Sequence, residues 1–470
     1  MIWSKDYLSR LLSLNLTQIN CNQFNNVRVN SKYVEEGDIF ITLQGTESDG
    51  HDFIDDAISR GARLVLYSKD IDKKFLNPAI CIKSDNLKNK LIKLAKDKRS
   101  RSKAKFIAIT GSAGKTTSKE ILHHILSKNF KTFKSPKSFN YGVHIISALA
   151  SIPDDIEYAI FEFGMNKKGE ILKSTEIFQI DIIIINNVFP VHIEFFQSIE
   201  EIAEAKSEIL QRLDSSKSIS IINFDMYKEI FLKHIRKLKL QNIIIIGKDK
   251  YSQIELEKYH VISTVNELKV QLIYSVQNTR YSFVRSYIDK SLGENFRSVL
   301  GVILALNLDI NESIKEFSNF TPQLGRGKIL SILNNQGKNL YLYCDYFNSN
   351  PIAVQKSLMS LANMPQNDKI AIIGDMLELG KDSKKFHSDI VPFIKNAKIK
   401  KLILVGKEVK IIFEQVKDMQ EFQTFIFPDV EALMPKLDKL LIPESITLIK
   451  ASRKIGLEKI LKNWNIKDVI

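Results

Sequence analysis

Only three cysteines occur in 470 residues: Cys21, Cys81 and Cys344. None stands at metal-ligand spacing from another, and an odd, scattered set does not make a disulfide framework. A reducing compartment fits such usage. Long apolar runs are missing too, and no stretch approaches the length that spans a bilayer. The first residues, MIWSKDYLSRLLSLNL, carry charges throughout their length. They lack the basic start and continuous apolar centre of a secretory signal, so cytoplasmic residence is expected. Solenoid-type repeats and low-complexity tails are also absent. So is any basic block interleaved with aromatic residues. That absence matters because the net charge is +14. The lysines are dispersed and often sit beside Ile and Asn, which reads as a base-composition bias rather than a nucleic-acid surface. No nucleic-acid partner is expected; a polyanionic small substrate can use the same charge.

What is present begins with residues 106–119, FIAITGSAGKTTSK. An apolar, β-branched run (Phe106 to Ile109) ends in Gly111-Ser112-Ala113-Gly114-Lys115-Thr116-Thr117. A helical pattern follows, with Ile121, Leu122, Ile125 and Leu126 on one face. Strand, glycine-containing turn, Lys-Thr and helix is the context in which a chain cradles a nucleoside triphosphate. The glycines let backbone N–H groups approach phosphate oxygens, and the helix N-terminus adds partial positive charge. Lys115 can reach the β- and γ-phosphates, and Thr116 or Thr117 can bind Mg²⁺. No glycine stands at position 109, so this is a shorter loop than the usual one.

The chain is longer than one hydrophobic core usually serves. Residues 1–103 mix short apolar runs with turns and end in KLAKDKRSRSKAK, which reads as a helix end and linker. Residues 104–320 alternate strand-like runs (YAIFEF, DIIIINNV, SISIINF, NIIIIG) with helical patterns. Residues 321–470 repeat that alternation with LYLYCDY, KIAIIGD, KLILVGK and ITLIKAS. The expected class is α/β, with mostly parallel sheets in the second and third regions.

Three further residues draw attention in the central region. Glu162 closes an apolar strand, at the sheet end where α/β proteins bind ligands. It is either a Mg²⁺ ligand or a solvated strand-end acid. His192 also follows an apolar strand, where it is either a ligand or a structural histidine. Lys206 lies in SIEEIAEAKSEILQRL, which opens with Ser198 and Glu201 at capping-box spacing. Ile199, Ile202, Lys206 and Ile209 share one face. That lysine either snorkels from the stripe's edge or faces inward, where it must be neutralised, paired or chemically altered.

TGSAGKTT, FEFGMNKKGEI, the VHIE turn and the EAKSEI helix together resemble the Mur ligases of peptidoglycan synthesis. The resemblance extends to residues 30–62 and, in the last third, to CDYFNSNP, GDMLELG with His387, and KASRKIG. It implies a three-domain architecture: a small α/β N-terminal domain holding a uridine nucleotide, a central P-loop ATPase domain, and a Rossmann-like C-terminal domain. GDMLELG and FNSNP point to the branch that joins D-alanyl-D-alanine to UDP-N-acetylmuramoyl-tripeptide using ATP and Mg²⁺.

The resemblance also implies roles. Gly111 to Thr117 would hold the phosphates and Thr116 the first Mg²⁺, with Glu162 in the same metal system. His192 would help bind a second Mg²⁺, and Lys206 matches a lysine that is carbamylated in several members. Asn295 matches an adenine contact; Arg326 and Asp345 match groups near the ribose and phosphates. Ser31, Thr46, Asp49, Gly50 and His51 fall in the uridine-diphosphate stretch. Asn140, Asn348, Asn350, Lys450, Ser452 and Arg453 match further substrate contacts. The chain departs from the family pattern at Asn30-Ser31-Lys32, usually Asp-Ser-Arg, and Lys lacks the planar fork of Arg. Glu294 and Ser298 replace a His and an Asn around Asn295, and Ala451 replaces a glycine. A soluble monomer is expected. Other ligases of the superfamily, adding a diamino acid or glutamate, and a P-loop NTPase switch are the alternatives.

Overall fold

The computed structural model describes residues 2–45, 48–71, 77, 80–191, 193–263, 268–333 and 337–464. Among the described residues three large sheets follow one another, with four, nine and six strands. The first runs Val27–Arg28, Ile39–Ile41, Leu64–Tyr67, Cys81–Lys83, all parallel. The helix Leu87–Arg101 then leads into the second sheet. Its basic run is no free linker. Lys98 is buried with its ammonium 2.5 Å from Asp154, and the Arg99 guanidinium donates to the carbonyls of Phe178 and Gln179.

The central sheet has the order Thr279–Ser286, Leu268–Val276, Ile254–Ser263, Asn242–Ile246, Ile219–Asn223, Ile182–Ile185, Lys105–Thr110, Tyr158–Glu162, Thr132–Lys134. Strands from residue 105 to 246 pair in parallel, as the strand–helix alternation predicts. The last three form an antiparallel meander that this alternation does not foretell. Its signal is a period of two: Val270, Leu272, Tyr274 and Val276 are buried and the residues between them are not. The two-residue turn Gln277-Asn278 has positive φ at both positions, the twist a tight hairpin needs.

The last sheet runs Lys328–Leu333, Asn339–Cys344, Ile446–Lys450, Lys369–Gly374, Lys401–Val405, Gln423–Phe427. All pairs are parallel except the first. Among the described residues no helix is long and apolar enough to cross a membrane.

The two junctions between the sheets are built differently. One face of the first sheet shares a hydrophobic core with one face of the second: Val27, Ile39 and Leu64 belong to the same cluster as Leu149, Phe161 and Ile183. The helix Gly142–Ala150 closes that seam. Ser147 Oγ donates to the Val27 carbonyl at 2.5 Å, and the Trp3 indole N–H donates to Ala150 at 3.1 Å. The second and third sheets instead meet around polar side chains, which line a cavity.

Candidate active site

A cavity of about 350 Å³ opens where the carboxyl ends of the central strands face the C-terminal unit. The phosphate-loop sequence forms one wall. Lys105–Thr110 is a strand, Gly111–Gly114 the turn, and Lys115–Leu126 a helix whose apolar stripe packs inward. Segment 186–189 pins the turn: Ala113 N–H donates to Asn187 Oδ1 at 2.8 Å, and Ser112 Oγ bonds both the carbonyl (3.0 Å) and the N–H (2.8 Å) of Phe189. Gly114 has φ +78°, and a Cβ there would lie 2.0 Å from Asn295 Oδ1. Only glycine lets the loop seat against Asn295, which projects from the helix Lys290–Ala305.

Ser112 to Thr117, Asn140, Glu162, Asn295, Arg326, Asp345, Asn348, Asn350, Lys450 and Arg453 all line this cavity. Gly111 lies beneath it, its carbonyl accepting from Lys115 Nζ at 2.6 Å. Glu162 is wholly buried rather than a solvated strand end. Its Oε2 accepts from Thr116 Oγ1 at 2.8 Å and its Oε1 from Lys119 Nζ at 3.0 Å. The surrounding protein pulls the Lys115 ammonium below its ordinary pKa; Glu162 opposes this and Arg326 adds to it.

Lys206 resolves its alternatives in favour of burial, at 2% exposure. Its helix, Ile199–Ser207, starts with Ser198 Oγ accepting from Glu201 N–H at 3.3 Å. The Glu201 carboxylate reaches back to Gln197 N–H rather than to Ser198. Burial, and secondly the Lys115 ammonium, push Lys206 well below the usual lysine range. Among the described residues no carboxylate pairs with it. His192 and Thr46 lie outside the described residues.

The C-terminal unit supplies the opposite wall. Lys450 Nζ meets Asp345 Oδ2 at 2.8 Å and the Asn348 carbonyl at 2.8 Å. Asn350 caps the helix Pro351–Ala362, accepting from Ala353 N–H at 2.9 Å. Arg326 stacks over the Phe347 ring at 3.8 Å and donates to Ser138 at 3.1 Å. Ser452 turns away from the cavity, its Oγ accepting from Leu377 N–H at 2.9 Å. That bond steadies the GDMLELG loop, which His387 also holds by accepting from Met376 N–H at 3.0 Å.

Ser31, Asp49, Gly50 and His51 do not line the cavity. Asp49 caps the turn Gly50–Phe53 and holds His51 Nδ1 at 2.6 Å. Ser68 N–H donates to His51 Nε2 at 3.1 Å, so the ring proton points at Asp49. Burial alone would raise the Asp49 carboxyl; hydrogen bonds from Lys69 and His51 outweigh it and hold it well below the usual range. Ser31 opens a short turn whose Tyr33 ring packs 5.2 Å from Phe139, beside Asn140.

Residues 109–295 match the family profile described as the Mur ligase middle domain, residues 330–453 the Mur ligase glutamate ligase domain, and residues 23–108 the Mur ligase family catalytic domain. A UDP-N-acetylmuramoyl-tripeptide–D-alanyl-D-alanine ligase of Rickettsia prowazekii is 39% identical over 464 residues, covering 98% of this chain and 99% of the relative. The chain belongs to the Mur ligase family. A ligase of the same name from Buchnera aphidicola subsp. Baizongia pistaciae is 30% identical, covering 90% of this chain and 88% of its own. In fold, this Mur ligase is similar to a crystal structure of MurF from Acinetobacter baumannii (TM-score 0.82, 21% identity, 99% of both chains). It is also similar to MurF ligase from Thermotoga maritima in complex with ADP (TM-score 0.76, 24% identity, 95% of this chain and 98% of that one).

Sequence reasoning missed several lining or supporting groups of this Mur ligase: Lys119, Ser138, Asp289, Tyr343, Phe347 and Lys356. Lys119 had a signal, since it follows Lys115 by one helical turn. The others come together only through the tertiary fold. Among the described residues no three His, Cys, Asp or Glu side chains form a preformed metal cage. Thr116 and Glu162 do offer two hard oxygens facing the cavity, the partial set that Mg²⁺ takes alongside phosphate oxygens and water.

Proposed function

We propose that the chain joins D-alanyl-D-alanine to UDP-N-acetylmuramoyl-tripeptide at the cost of ATP, forming the pentapeptide precursor of peptidoglycan. The observation that carries this reading is the 39% identity to the Rickettsia prowazekii ligase across nearly the whole of both chains. The cavity gives it a chemical basis, because phosphate-binding and substrate-facing groups meet there without intervening structure.

Amide formation from a carboxylate needs an activated acyl group. The tripeptide's terminal carboxylate oxygen attacks the γ-phosphorus of ATP, and the bond to the β-bridging oxygen breaks to release ADP. The loop Gly111–Thr117 holds the phosphates on backbone N–H groups; Lys115 and Arg326 face the charge that develops on the transferred group. The D-alanyl-D-alanine amine, having lost its proton, then attacks the acyl carbon, and inorganic phosphate leaves. Thr116 and Glu162 would hold one Mg²⁺, and His192 with Lys206 a second. Mg²⁺ supplies neutralising charge between the carboxylate and the triphosphate. Lys206, buried and held well below the usual lysine range, would add carbon dioxide through its amine and release a proton to become a carbamate anion.

Asn295 faces the adenine, and Asp345 the ribose. Ser31, Thr46, Asp49, Gly50 and His51 serve the uridine diphosphate; Asn140, Asn348, Asn350, Lys450 and Arg453 serve the peptide end, while Ser452 supports them from behind by holding the Leu377 N–H. The units divide at about residues 103 and 320. A cytoplasmic monomer acting in cell-wall formation, and so in cell shape and division, completes the reading.

The test is phosphate release from ATP and Mg²⁺ with the UDP-tripeptide present, with and without D-alanyl-D-alanine. Release that needs both substrates, with a product of pentapeptide mass, is the expected result. Release indifferent to both would reduce the protein to a phosphate-loop NTPase.

A further inference from the structure

Lys119 stands one helical turn beyond Lys115 yet does something different. Lys115 borders the cavity; Lys119 does not, and its side chain is fully enclosed. An ammonium has three N–H donors, and here each has a strong acceptor. They are the Ser135 carbonyl at 2.8 Å, the Lys137 carbonyl, and Glu162 Oε1 at 3.0 Å. Glu120 adds a second carboxylate at 3.9 Å. Two of the three anchors are backbone, so the cation cannot follow the acid if the acid moves.

Glu162 therefore has its two oxygens divided between two partners. Oε1 belongs to Lys119, behind the cavity wall; Oε2 belongs to Thr116, at the cavity. The terminal torsion of a glutamate is broad and two-fold, and packing alone defines it loosely. Lys119 supplies the directional bond that defines it. The same loop continues to Ser138, which touches Thr116 Oγ1 at 3.4 Å and the Arg326 guanidinium at 3.1 Å. Lys119 thus fixes the acid relative to both the phosphate loop and the incoming arginine.

We propose that Lys119 is a positioning residue that holds one oxygen of Glu162 out of reach, so that a divalent cation meets the other oxygen beside Thr116. This rests on the reading of Glu162 as a Mg²⁺ ligand. The arrangement sets orientation against affinity. A fixed positive charge close behind the acid repels a dication, and the occupied Oε1 prevents bidentate binding. In return the acid keeps a single geometry and remains compensated when no metal is bound.

The experiment uses Lys119→Met, which keeps the length and removes charge and donors, and Lys119→Gln, which keeps donors and removes charge. Mn²⁺ binding to the ADP-loaded full chain is followed by electron paramagnetic resonance, alongside steady-state kinetics. Loss of the charge is expected to tighten Mn²⁺ by at least about threefold. Loss of the fixed geometry is expected to lower kcat by about 10- to 100-fold, the range that partners behind a metal ligand command. KM for ATP stays within about twofold, because the phosphate cradle is untouched. Mn²⁺ bound equally or more weakly by either variant, or an unchanged kcat in Lys119→Met, would overturn the proposal and leave Lys119 a packing residue. If Lys119→Met does not fold, the Mn²⁺ arm is read on Lys119→Gln, where tightening is still expected. If the wild-type chain with ADP binds no Mn²⁺, the metal reading of Glu162 fails first, and this inference fails with it.

Discussion

The junction between the first and second units and the junction between the second and third do opposite jobs. The first is apolar and continuous, a single core crossing from Val27 and Leu64 to Leu149 and Phe161. The second is mostly polar and holds a cavity. Its contacts include Lys356 with Glu294 at 2.6 Å, Tyr343 hydroxyl with Asp289 at 3.1 Å, Arg326 with Ser138, and Gly380 close against Glu194. The large apolar seam, with Ser147 and Trp3 bonded across it, favours one fixed arrangement, whereas exposed hydrogen bonds and ion pairs exchange with water at little net cost. The cavity therefore sits at the polar junction, while the strands near Asp49 and His51 share a core with the sheet that carries the phosphate loop.

The contrast can be broken from either side. The largest effect belongs to Lys115→Ala at the polar junction. It should lower kcat by about 10³-fold, as loss of a group facing transition-state charge does, while the melting temperature stays put. Leu149→Ala at the apolar junction should do the reverse. A cavity there costs about 3–4 kcal/mol of stability, read by urea denaturation, with kcat per folded molecule unchanged.

Asp289 sharpens the picture, because it is a half-buried acid at the polar junction. Burial, and secondly Asp345, raise its pKa from 3.8 to about 6. A folded-state value above the unfolded one means that the folded chain holds the proton more tightly. Stability from this group is thus full below pH 3.8, falls as pH rises to about 6, and is level beyond. Asp289→Asn keeps the helix cap and should flatten that fall, a gain of at most about 3 kcal/mol at neutral pH. Melting temperatures at pH 5 and pH 7 measure it. Smallest is Lys356→Ala, whose half-exposed ion pair is worth less than about 1 kcal/mol. Its effect on KM for ATP should shrink as salt is added.

Much of the phosphate-loop wall was legible in the sequence because it is local. Strand, turn, lysine, threonine and helix occupy consecutive residues, and each has its own propensity. The parallel strands were legible as apolar runs alternating with helices. The antiparallel meander at 254–286 also had its signal, a period of two and a Gln-Asn turn, but the surrounding alternation hid it. The opposite wall was legible only through the family resemblance. Nothing local says that Arg326 will stack on Phe347, or that Asp289 will meet Tyr343. Such pairs are set by how two sheets dock, a long-range matter that periodicity does not encode. Lys206 was readable as an apolar-face lysine; its depth of burial was not.

The joint at LGRGK has a practical corollary. Gly325 and Gly327 flank Arg326 with φ of +80° and +87°, and a Cβ at either would press on Tyr346 (2.8 Å) or Asp289 (2.7 Å). The crossing from the second unit to the third is therefore part of the chamber wall, not a tether outside it. Anyone splitting this protein for separate expression would choose such an inter-domain crossing by habit. Here the cut falls through the arginine's own mounting. Neither fragment would own a complete chamber, and co-expressed fragments would regain one only by rebuilding both glycine turns at a broken chain end.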